Sequence, residues 1–223
     1  MKITDVSLTL FGWGGIPATQ YGRHTGKFGG MSQLGLLTVA TDAGVERHAF
    51  LGSASRGANL DAESLIQHLK PAVMDQDPLD RERLYQAMSQ RNRFTTLRAI
   101  GAVDIALWDI AGQVAGLPIH RLLGSYRDRL PAYASSSVLS SKEAYADQAA
   151  KFKAEGWTAY KIHPPTDPAV DIEICQAVRK AVGDGFTLML DSTWAYQYPE
   201  ALRFSNVIEH LGYHWYEDPL SDD

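Results

Sequence analysis

A chain of 223 residues is long enough to bury a substantial core and to form one large or two ordinary domains. Its formal net charge is −5 and its Lys and Arg residues are dispersed, which argues against nucleic acid and against a membrane surface and leaves a small molecule as the expected partner. One cysteine, Cys175, rules out an internal disulfide, and neither a signal-peptide core nor a run of about 20 apolar residues occurs, so a cytoplasmic location is expected.

Residues Lys2 to Phe11 alternate apolar and polar side chains, as a half-buried antiparallel strand does. From Gly12 to Gly30 there are seven glycines, interleaved with Trp13, Tyr21, Arg23, His24, Lys27 and Phe28, and a long lid or specificity loop is predicted there. No phosphate-binding glycine pattern is present. Leu34 to Thr41 and Val45 to Leu51 flank the turn residues Asp42-Ala43-Gly44, which completes a three-stranded meander. Helices are predicted over Asp61 to Lys70, stopping before Pro71, and over Asp80 to Arg91. Leu97 to Ala115 is apolar on most of its circumference, including Ile105 and Val114, and should be buried between layers. Asp104 and Asp109 within it are expected to be caps or ion-pair members.

After Gly124 the rhythm becomes strand and helix in alternation. Strands are predicted at Leu130 to Ser137, Thr158 to His163, Phe186 to Asp191 and Tyr213 to Glu217. Between them lie helices opened by Ser141, by Asp167-Pro168 and by Pro199, the second ending at Gly183 and the third at Gly212. In Thr158 to Pro165, alternation puts Lys161 and His163 on one side of the strand. Asp191 and Glu217 end the next two strands, at intervals of 30 and 26 residues, one strand-helix unit each. Two basic and two acidic groups thus stand at strand C-termini, where parallel α/β folds place reacting groups. Paired carboxylates at this spacing offer the hard oxygen ligands that Mg²⁺ takes.

The segment Ala99 to Gly124 resembles the signature of the mandelate racemase and muconate-lactonizing group of the enolase superfamily. The likeness is carried by Asp104, Ala106, Leu107, Asp109, Gly112, Gln113, Pro118, Leu122, Leu123 and Gly124 and continues through the four strand-end residues. It implies an α+β capping domain (residues 1–124) followed by the first half of a (β/α) TIM-type barrel (residues 125–223), with the glycine-rich loop closing over substrate. Eight strands close such a barrel, so a longer protein is expected, with a third Mg²⁺ ligand beyond Asp223 and weak Mg²⁺ binding by this chain. A half barrel that pairs with a second copy, and a non-catalytic fragment or assembly module, are the alternatives.

The resemblance also implies the chemistry: removal of the proton α to a carboxylate, giving an enediolate whose charge Mg²⁺ stabilises. Lys161 and His163 occupy the family's Lys-x-Lys positions, with His replacing the second Lys. Imidazole titrates near neutrality unaided, so His163 is the expected base and Lys161 the charge that polarises the substrate carboxylate, although the two roles could be exchanged. Thr193 stands where many relatives carry Asn. Tyr21, His24, Arg56 and Thr193 are the candidate substrate contacts. The polar entrance loop, with Ser53 and Ser55, favours dehydration of an acid sugar over racemisation, epimerisation or cycloisomerisation. The full-length protein is expected to be a homo-oligomer acting on a small carboxylate.

Overall fold

The computed structural model describes residues 1–21 and 26–221. It divides into two compact units, Met1–Pro17 with Gly29–Asp128, and Ala18–Phe28 with Arg129–Asp223. No helix among the described residues is long and apolar enough to cross a membrane.

The first unit is built on an antiparallel sheet in the order β1 (Ile3–Thr19), β2 (Phe28–Thr41), β3 (Glu46–Leu51). The β2–β3 register runs from Gly35 opposite Leu51 to Ala40 opposite Glu46. Alternation then buries Leu37, Val39, Ala49 and Leu51 on one face and leaves Thr38 to pair with His48 on the other. The glycine-rich stretch differs from its prediction as a long loop: β1 continues to Thr19 and β2 begins at Phe28. Backbone pairing along a hairpin can satisfy N–H and C=O groups that a loop of this length would leave to water.

On this sheet packs α4 (Leu97–Ala115), capped by the Thr96 hydroxyl, which accepts from Ala99 N–H, and ended by Gly116 at φ 65°, a left-handed position that favours glycine. Its Ile100, Val103, Leu107 and Ile110 are buried, each contributing about 1.5–3 kcal/mol by burial. The helix is one-sided, however: Ile105 and Val114 are 58% and 50% exposed, against the prediction that both would be covered. Asp109 pairs with Arg47 at 3.3 Å, one of the roles expected of it. The preceding helical stretch also departs from expectation, because Pro71 does not stop it. α1 (Asn59–Ser64) runs through a π-helical turn (Leu65–Leu69) into α2 (Lys70–Val73), whose first turn holds the proline. A prolyl nitrogen cannot donate to the preceding turn, and the wider π turn accommodates it. α3 (Arg81–Ser89) and α5 (Ile119–Leu122) complete the unit.

The second unit is a parallel sheet in the order β4 (Ala134–Ser135), β5 (Ala159–Ile162), β6 (Thr187–Asp191), β7 (Trp215–Glu217). Connecting helices are α6 (Lys142–Ala154), α7 (Pro168–Val182) and α8 (Tyr198–His210). Ser141 and Asp167 cap α6 and α7 with their side chains, as the sequence indicates. Tyr160, Ile162, Leu188 and Leu190 are buried in the apolar cluster that includes Ile174, Val178 and Phe204 of the helices. β4 is much shorter than the predicted Leu130 to Ser137, since only Ala134 and Ser135 pair with β5. It is an edge strand, Pro131 has no N–H to pair, and Leu130 is 75% exposed.

At the N-terminal end of this sheet the Arg179 guanidinium is buried and donates to four carbonyls: Leu211, Gly183, Phe186 and Gly212, at 2.7–3.0 Å. Gly183 closes α7 and Leu211 and Gly212 follow α8, where the partial negative charge of a helix C-terminus favours a cation, while Phe186 leads into β6.

Candidate active site

At the opposite end of the sheet, register alone gathers the predicted residues. Lys161 is aligned with Met189 and Asp191 with Glu217, so three adjacent strands deliver side chains to one face. Lys161 Nζ lies 3.1 Å from Asp191 Oδ2 and 2.9 Å from Glu217 Oε2. His163 Nε2 is 3.0 Å from the same Asp191 oxygen. Lys161 and Asp191 are almost wholly buried, and His163 nearly so.

Burial alone would raise the Asp191 carboxyl, but hydrogen bonds and charge from His163, a bond from Lys161 and the Thr193 N–H bring it down to about 2. Burial would lower the Lys161 ammonium, but its bonds to Glu217 and Asp191 hold it above its ordinary value. Both groups are therefore charged across the neutral range.

The imidazole is fixed from three sides. Its Nδ1–H donates to the Ser136 carbonyl at 2.6 Å, with Ser135 Oγ at 3.3 Å. A carbonyl and an ionised carboxylate only accept, so these contacts are satisfied by an N–H on each ring nitrogen, Nδ1 to Ser136 and Nε2 to Asp191. The His163 N–H donates to Ser136 Oγ, and the His163 carbonyl accepts from the Tyr145 hydroxyl. The Tyr21 ring meets the imidazole edge-on at 4.9 Å. Sequence reasoning passed over Ser135, Ser136 and Tyr145. The Ser135-Ser136-Ser137 run ending the preceding strand was the available signal, and the β4–β5 register gives it meaning.

The other expected contacts are distributed differently. Thr193 Oγ1 donates to the Tyr21 carbonyl at 3.2 Å, which ties those two candidates together beside His163. Arg56 belongs to the first unit, where its guanidinium bonds the buried Asp61 at 2.9 Å. His24 lies outside the described residues.

Among the described residues no group of three or more His, Cys, Asp or Glu side chains could hold a metal. Asp191 and Glu217 nevertheless face one shared cation, the Lys161 ammonium, at paired strand positions. Their donor chemistry fits Mg²⁺, with oxygens from elsewhere completing its shell.

Comparison with known proteins gives a consistent result. The mandelate racemase / muconate lactonizing enzyme N-terminal domain model matches residues 25–124, and the enolase C-terminal domain-like model matches residues 144–223. The chain is 32% identical over 167 residues to D-galactarolactone cycloisomerase of Agrobacterium fabrum, a match covering 70% of this chain and 44% of that protein. It is 34% identical over 172 residues to L-Ala-D/L-Glu epimerase of Bacillus subtilis, covering 75% of this chain and 46% of that protein. The structure of D-glucarate dehydratase from Agrobacterium tumefaciens, complexed with magnesium, superposes with a TM-score of 0.83 at 29% identity, over 100% of this chain and 62% of that one. The chain spans about half the length of the curated relatives it matches.

Proposed function

Because the chain belongs to the mandelate racemase and muconate-lactonizing group of the enolase superfamily, with an α+β cap followed by part of a (β/α) barrel, we propose that it removes the proton α to a carboxylate, and that the complete reaction is dehydration of an acid sugar. The observation that carries this reading is the convergence of Lys161, His163, Asp191 and Glu217 at the strand C-termini, linked by the contacts Lys161–Asp191, Lys161–Glu217 and His163–Asp191 at 2.9–3.1 Å.

His163 is the base. Ser136 occupies Nδ1, so Nε2, in contact with Asp191 Oδ2, is the nitrogen that hands over its proton and then takes the substrate's. Lys161 is the fixed positive charge that binds the substrate carboxylate and favours its developing anion. Mg²⁺, held by Asp191 and Glu217, supplies Lewis-acid stabilisation of negative charge when bound. Tyr21 keeps the imidazole in plane and, with Thr193, borders the substrate.

A cavity of about 320 Å³ is lined by Gln20 and Lys27 from the entrance segment and by Ser137, which follows the serine that holds His163. Its amide, ammonium and hydroxyl groups suit a hydroxyl-rich acid, and the glucarate dehydratase likeness supports the same substrate class. The epimerase relative favours a second reading, in which the proton is returned to the opposite face rather than a hydroxyl being expelled.

The test is a screen of sugar acids and dipeptides with the longest expressed form of the protein, followed by His163→Ala and Asp191→Asn. Loss of turnover in both is expected. Unchanged turnover in either removes the assignment.

A further inference from the structure

Directly after the two carboxylate strands the backbone enters conformations that side chains resist. Thr193, Trp194 and Asp218 have φ of 48°, 60° and 45°, all left-handed and none a glycine. Such conformations are strained for residues with a side chain and persist where the surroundings over-determine them. Here the surroundings are a set of backbone rungs: Ser192 N–H donates to Glu217 O, Trp194 N–H to Asp218 O and Tyr196 N–H to Pro219 O, at 2.7–3.1 Å. The strand-end segments following Asp191 and Glu217 are thereby laced together for several residues beyond the sheet.

The lacing ends on a buried polar contact. The Tyr196 hydroxyl donates to Asp171 Oδ2, and Asp171, on α7, is completely inaccessible. The backbone of Asp167 and Thr166 also hydrogen-bonds this carboxyl, and close by the Ser192 and Tyr216 hydroxyls interact with one another. Those last two belong to the residues adjoining Asp191 and Glu217. The Tyr196 ring packs against Phe204 at 5.6 Å and Tyr216 at 6.5 Å, so the contact is continuous with the strand that bears Glu217. Burying a carboxyl this deeply costs desolvation that its hydrogen bonds return only in part. An apolar residue on this face of α7 would avoid that cost.

We propose that Asp171 and Tyr196 are positioning residues: their buried hydrogen bond holds the laced strand ends in register and so sets where Asp191 stands relative to His163 and Glu217. Neither residue touches the charged cluster. They act through Ser192, Trp194 and the residue-217 strand.

Three variants of the 223-residue chain test this. Tyr196→Phe removes the hydroxyl and keeps the ring, Asp171→Leu removes the acceptor, and Asp171→Asn retains an acceptor. Amide hydrogen exchange is followed at Ser192, Trp194 and residue 196, and the His163 imidazole nitrogens by ¹⁵N resonance at constant pH. In Tyr196→Phe and Asp171→Leu, exchange at the three rungs should rise at least tenfold while Leu188 and Leu190 change less than threefold, and the His163 resonances should shift. Asp171→Asn should stay near wild type in both readouts. Rung exchange that is unchanged, or that rises equally along β6, overturns the proposal. So do an unmoved His163 signature and an Asp171→Asn chain that behaves like Asp171→Leu. Should Asp171→Leu fail to fold, Tyr196→Phe against Asp171→Asn makes the same comparison.

Discussion

The two ends of the parallel sheet use buried charge in opposite ways. At the N-terminal end, Arg179 donates to four backbone carbonyls, and among the described residues it pairs with no carboxylate. Every partner there is a fixed part of the fold, so the cation is consumed in holding helix ends. At the C-terminal end, Lys161 and His163 face Asp191 and Glu217, side chains that the proposed function requires to exchange partners with a cation or a substrate. Barrel folds divide stability and chemistry between their two faces in the same sense.

The division can be broken from either side. His163→Ala should lower kcat of the longest expressed form by about 10²–10⁴-fold, the usual share of a positioned acid-base group, while its urea midpoint moves little. Arg179→Met should do the reverse. It leaves four carbonyls without their donor and costs about 3–5 kcal/mol in urea denaturation, as removal of a buried charge's partner typically does, with activity per folded molecule preserved. A kcat loss in Arg179→Met comparable to that in His163→Ala would erase the distinction.

Titration separates two carboxylates of the same unit by sign. Burial pushes Asp171 up to about 7, against the lowering effect of its Tyr196 bond. A raised carboxyl contributes stability that is fully present below about 4 and is lost as pH rises through 7. Tyr196, Asp167 and Thr166 act on it, and its charge in turn raises Tyr145, Tyr216 and Cys175. Asp171→Asn should flatten stability between pH 4 and 7. Asp191 is held at about 2, so its contribution, about 2 kcal/mol at 1.36 kcal/mol per unit, is present above about 4 and lost as pH falls towards 2. Asp191→Asn should remove that acid-side slope. Both are read from urea midpoints across pH, and a slope of the wrong sign in either rejects the corresponding assignment.

The sequence made the charged cluster legible because it rests on local rules: side-chain alternation, one carboxylate per strand-helix unit and capping residues at helix starts. The extent of α4, Leu97 to Ala115, was legible from its apolar pattern, and the structure adds the caps Thr96 and Gly116. What stayed hidden depends on pairing between distant segments. Glycines 12 to 30 read as a loop because the strand pairing that organises much of the stretch comes from backbone rather than side chains. Ser136 becomes a partner of His163 only once β4 is set beside β5. Asp171 reads as an acidic residue in the first turn of a helix, and nothing local reveals that Tyr196, 25 residues on, closes over it.

Lys161, Asp191 and Glu217 form one electrostatic unit. A double-mutant cycle on stability, Lys161→Met against Glu217→Gln, tests it most directly. Contact at 2.9 Å predicts a coupling energy of about 1–3 kcal/mol. Effects that add to within about 0.5 kcal/mol would mean that the two side chains do not meet, and the account of the site would fail with them.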